Sequence, residues 1–77
     1  MATPFEMRWP VFDPDEPAAK FKARALDELK VELNALALVP LTPPAFAWEM
    51  HPGMDGRRAP FLVCRLTVRD HVGGLAA

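Results

Sequence analysis

The sequence predicts a single α+β domain in the order β-α-β-β, with one amphipathic helix packed on one face of a three-stranded mixed sheet. Three observations carry this expectation. Phe5, Met7, Trp9 and Val11 alternate with Glu6, Arg8 and Pro10, and Phe46, Trp48 and Met50 alternate with Ala47 and Glu49, which is the period of two required by a strand with one buried face. Ala18, Phe21, Ala25, Leu26, Leu29, Leu33 and Leu36 recur at helical spacing, opposite Lys20, Arg24, Asp27, Lys30 and Asn34. Finally, none of the nine prolines falls in residues 18–39 or 61–77. Proline removes a backbone donor and fixes φ, so its absence delimits one long helix and one long strand.

The first strand, residues 5–11, carries Pro10, which cannot donate to a ladder, so the strand is expected at a sheet edge or to pair fully only as far as Trp9. Residues 12–17 then form a helix-start signal: Asp13 or Asp15 caps, and proline suits the first turn. The helix runs from Ala18 to Val39, where Pro40 ends it. Glu16 is placed to meet Lys20, and Arg24 to meet Asp27 or Glu28. Val31 and Leu38, seven residues apart, interrupt the polar side and suggest a small second apolar contact there.

Residues 41–44 read as a stiff extended connection to the second strand. Pro52-Gly53 suits a type II turn and Asp55-Gly56 a tight reversal, so residues 52–60 form a hairpin loop. The third strand, residues 61–72, returns antiparallel, with Leu62, Cys64, Leu66 and Val68 facing the helix. Phe61, Val63, Arg65, Thr67 and Arg69 face the other way. Gly73-Gly74 ends the strand, leaving a loose tail.

Composition bounds the rest. A 77-residue chain has room for one domain, yet 51% of its residues are hydrophobic, more than one small core hides. The sole cysteine, Cys64, excludes an intrachain disulfide. Self-association or a partner chain is the economical expectation. The net charge of −1 splits into −3 over residues 1–50 and +2 over residues 51–77, well short of the basic footprint of a dedicated nucleic-acid binder. With no apolar run of membrane-spanning length and no signal-peptide pattern, a cytoplasmic protein with a reduced thiol is expected. Its size is that of many small bacterial or phage accessory proteins.

Chemistry-bearing residues are sparse. His51, His71, Cys64, Glu49 and Asp70 include no pair at the spacing that presents two metal ligands from one segment, so no metal is expected. Serine is absent and Cys64 lies in phase with Leu62 and Leu66, so no catalytic residue and no enzyme activity are expected. The loop Gly53 to Arg58 has glycines and cations but opens no helix and lacks both phosphate-binding fingerprints. Arg57, Arg58, Arg65 and Arg69 with Phe61 would be the nucleic-acid platform, opposed by Glu6 and Glu49 on the same face.

The β-α-β-β order, with Trp48 in the strand after the helix, resembles the dodecins, small oligomers that hold flavin between stacked aromatics. The resemblance implies a flavin or other aromatic ligand at Trp48. In phase with Phe46 and Met50, Trp48 also belongs to the core side of its strand. No cofactor is assigned on this pattern. The leading expectation is a non-catalytic protein-interaction module, binding a second copy or a partner protein through the open sheet face at Ala47, Phe61 and Val63, ringed by Arg65 and Arg69.

Overall fold

The computed structural model describes residues 2–70. It contains β1 (Thr3–Pro10), α1 (Ala18–Ala35), β2 (Leu38–Pro40), β3 (Ala45–Pro52) and β4 (Arg58–Asp70). The chain is α+β, but the sheet has four strands and every pairing is antiparallel, which corrects the expected three-stranded mixed sheet. The reason is the length of β4. Of its 13 residues, Phe61 to Val68 pair with β1 along one side, while β3 and β2 share the other side end to end. β1 and β3 do run in the same direction, since both oppose β4. With β4 lying between them, no parallel ladder forms. The expected end of the last strand at Val72 and the tail at 73–77 lie outside the described residues.

The helix stops four residues before its expected end. Leu36 closes it by donating to the Glu32 carbonyl, and Ala37 turns the chain through φ 56°, a left-handed conformation that no helix continues. Val39, held extended by Pro40, then joins β2. Leu38 consequently packs against the core instead of sharing a stripe with Val31, which is 70% exposed, so the second apolar contact on the helix does not form. Leu36 and Ala18, both assigned to the core side, are exposed.

The helix start also differs from the expected cap. Pro17 occupies the N-cap position without a side-chain bond, while Asp13 accepts from the Asp15 amide two residues on, in a turn that precedes the helix. Glu16 lies outside the helix and folds back to accept from Arg24 Nη2 at 2.7 Å, so neither the Glu16–Lys20 pair nor the Arg24 pairs with Asp27 or Glu28 are made. Arg24 also stacks over the Phe21 ring, 5.0 Å from its centroid.

The core is the single layer between α1 and β4. Leu29 and Leu33 meet Cys64, Leu66 and Val68, and Phe21 and Ala25 meet Leu62. Phe5, Met7 and Trp9 from β1 and Phe46 from β3 flank them on either side. The inner face of β4 is thus the one expected. Burial pushes the Cys64 thiol above the ordinary cysteine range, consistent with a small hydrophobe.

Backbone alternation explains where the prolines sit. The Val11 amide donates to the Pro60 carbonyl, and in the register of Pro10 with Phe61 this sends the amides of Phe5, Met7 and Trp9 toward β4. The amide positions of Pro4, Glu6, Arg8 and Pro10 therefore point out from the sheet. On the other side the Gly53 amide donates to Arg57, which sends the amides of Ala45, Ala47, Glu49 and His51 inward and those of Phe46, Trp48 and Met50 outward, with Pro52 next in that outward row. Likewise the Leu41 amide donates to Thr67, turning Pro40 outward. Pro60, third in the central strand, lies opposite Val11 just past the end of β1, where it costs at most one bond.

The β3–β4 connection is shorter than expected, residues 53–57, because β3 runs through Pro52 and β4 begins at Arg58, ahead of Pro60. Gly56, at φ 81°, takes the left-handed position and donates to Gly53, while Asp55 accepts from the Arg57 amide. The turn closed by the Gly56–Gly53 bond has Met54 and Asp55 at its centre, one residue before the expected Asp55-Gly56 reversal. Pro52-Gly53 forms no type II turn, since Gly53 lacks a positive φ.

Candidate interaction surface

One helix covers one face of the sheet, and no element among the described residues covers the other. Register places the side chains of this open face in rows. Glu6, Arg65 and Ala45 form one; Arg8, Val63 and Ala47 the next; Pro10, Phe61 and Glu49 a third. Thr67, and Arg69 beside Val39, continue the face toward β2.

Charged side chains tie these rows together. Arg8 Nε donates to Glu6 Oε2 at 2.6 Å, and Arg65 Nε donates to Glu6 Oε1 at 2.9 Å. Arg65 then uses its other two nitrogens on Glu49, with Nη2 to Oε1 at 2.9 Å and Nη1 to Oε2, a bidentate pair. His51 Nε2 completes the chain at 2.8 Å from Glu49 Oε1. Five side chains from three strands thus form one ionic array. The Arg65 bond, with help from His51, lowers the Glu49 carboxyl from the ordinary 4.5 to about 2, and bonds from Arg8 and Arg65 lower Glu6 as well.

The array accounts for an unexpected feature. Val63, assigned to the exposed centre of this face, is 0% exposed. Arg8 and Ala47 flank it, and because Glu49 lies two rows from Arg65, their bridge passes over its row. The apolar stem of Arg65 shields the valine while its head stays in water. Of the remaining interface residues, Ala47, Arg65 and Arg69 are exposed and Phe61 is half-buried, edge-on to His51 with ring centroids 5.9 Å apart. The ionic array was missed by sequence reasoning. Its signal was the placement of Glu6 and Glu49 on the face of Arg65, which becomes pairing only once the register is known.

Trp48 lies on the helix side, but at the outer strand, where α1 covers it only in part. It is 48% exposed and meets Phe21 edge-to-face at 5.7 Å. With Val11, Pro14, Phe21 and Pro60 it lines a cleft of about 410 Å³. Among the described residues no three His, Cys, Asp or Glu side chains converge as metal ligands, and no helix is long and apolar enough to cross a membrane. His71 lies outside the described residues. The chain matches no protein-family model, no curated protein and no solved structure.

Proposed function

We propose that the protein is a non-catalytic interaction module that buries its open sheet face against a protein surface, either a second copy of the chain or a partner protein. The observation that supports this is the bare face itself. Ala45 and Ala47 lie exposed beside an ordered array of both charge signs, with Phe61 half-buried next to Glu49 and Arg69 at its rim. Small side chains let another surface approach closely, and an array already fixed by its own bonds loses little entropy on docking. Because both signs are present, a copy related by two-fold symmetry supplies the complementary charges.

Phe61→Ala combined with Arg69→Glu tests the face, since both residues sit on β4 and neither belongs to the core clusters. Val63→Asp would not serve, because a charge at a fully buried position disrupts the fold first. The wild type should run by light scattering above the 8.6 kDa of one chain, and the double variant should run lower while its melting temperature stays within a few degrees. An assembly of unchanged mass would overturn self-burial of the face.

The half-exposed Trp48 supports a second reading, an aromatic ligand such as a flavin in its cleft. In a Trp9→Phe variant, which leaves Trp48 as the sole indole, quenching by added flavin would favour it. Unchanged emission would dispose of it. For a nucleic-acid regulator the platform cations without a carboxylate partner among the described residues are Arg57, Arg58 and Arg69, since Arg65 is held by two carboxylates. Affinity falling steeply with salt would be its mark.

A further inference from the structure

Among the described residues the outer edge of β3 pairs with no strand, and the Met50 carbonyl alone of its outward groups has a partner, Arg58 Nη2 at 2.9 Å. The outward-pointing amides, Phe46, Trp48 and Met50, have no partner strand among the described residues. They lie in the proline-free run from Ala45 to His51, and their side chains form an apolar row on the helix side in which Trp48 and Met50 are about half exposed. Natural edges carry devices that prevent pairing, such as proline, charge and bulges; within this run the outward row carries one, the Arg58 guanidinium on the Met50 carbonyl.

We infer that β3 pairs with β3 of a second copy, antiparallel about a two-fold axis through Trp48, joining the two sheets into one. The occupant follows from self-complementarity. With Trp48 opposite Trp48 of the other copy, Phe46 faces Met50 and Met50 faces Phe46. Each of these three pairs is of the doubly bonded kind, giving six backbone hydrogen bonds, two of them to Met50 carbonyls that also accept from Arg58 of their own chain through the second lone pair. Pro44 then stands opposite Pro52 at both ends, so the ladder stops where donors stop. On the open face Ala47 meets Glu49 and Ala45 meets His51, with no like charges directly opposed.

The neighbouring registers are worse. A two-fold at Glu49 opposes two carboxylates, and one at Ala47 reaches six bonds only by drawing in Pro44, which lies outside β3 and can only accept. A shift by a single residue would oppose helix-side and open-face side chains and is excluded by the pleat. The inference does not rest on the open-face reading, because the Trp48 and Met50 side chains lie on the opposite side of the sheet.

Met50→Pro tests it by removing an outward donor that the chain itself does not use, and Trp48→Lys places two ammonium groups face to face on the axis. Each should halve the light-scattering mass with an unchanged circular dichroism spectrum, whereas Phe61→Ala with Arg69→Glu leaves the β3 pairing intact. An unchanged mass in both folded variants would overturn the inference and leave the face reading standing. A wild type of 8.6 kDa at every concentration would overturn the inference too, and with it self-burial of the open face. Should both substitutions unfold the chain, the wild type decides: the amides of Phe46, Trp48 and Met50 must gain exchange protection with concentration, and failure to do so overturns it.

Discussion

β1 and β3 flank the same central strand over much of its length, both antiparallel to it, yet they present opposite outer edges. In β1 the outward row reads Pro4, Glu6, Arg8, Pro10: two positions without donors and two with charged side chains. In β3 it reads Phe46, Trp48, Met50 before Pro52 intervenes. The first is an edge guarded against pairing and the second is one that invites it. The difference also extends to the core. Trp9 of β1 packs against both core clusters, whereas Trp48 of β3 touches Phe21 and is otherwise half in water.

The largest expected effect separates the two tryptophans. Trp9→Ala should cost about 3 kcal/mol or more in urea unfolding, the range for emptying a large aromatic site, while Trp48→Ala should cost about 1 kcal/mol in the isolated chain. Equal losses would mean that the helix covers both edges alike. A smaller effect tests the link across the open face, where Arg65 joins Glu6 of β1 to Glu49 of β3. Glu49 titrates lower folded than unfolded, so its contribution is fully present above about pH 4.5 and is lost as pH falls toward about 2. Glu6 shifts in the same direction. Unfolding measured across that window should lose stability on acidification, with a shallower slope in Glu49→Gln. An identical slope would show that the array does not couple to folding.

Much of this was legible in the sequence because burial imposes a period. The inner face of β4 and the buried row Phe21, Ala25, Leu29 and Leu33 follow from spacing alone. β2 was not legible, since Leu36 to Val39 continues an apolar run that suits helix or strand equally, and only the left-handed turn at Ala37 divides them. The sheet order was hidden for a related reason: a helical crossover does not say how many strands it skips. Nor could pattern alone bury Val63. Its cover is an arginine reaching two rows along the sheet, a contact set by register. The prolines carried more than their role as boundaries. Those at positions 4, 10, 40 and 52 share one parity with the outward amide rows, which becomes interpretable once the ladder is known.

The contrast between the edges is tested most directly by residue-resolved amide exchange on the unmodified chain at increasing concentration. The inward amides of Phe5, Met7, Trp9, Ala47 and Glu49 should be protected throughout, and those of Glu6 and Arg8 should exchange freely throughout. Phe46, Trp48 and Met50 should pass from free exchange to protection as concentration rises. If they exchange as fast as Glu6 and Arg8 at every concentration, β3 is no more a pairing edge than β1 and the account is contradicted.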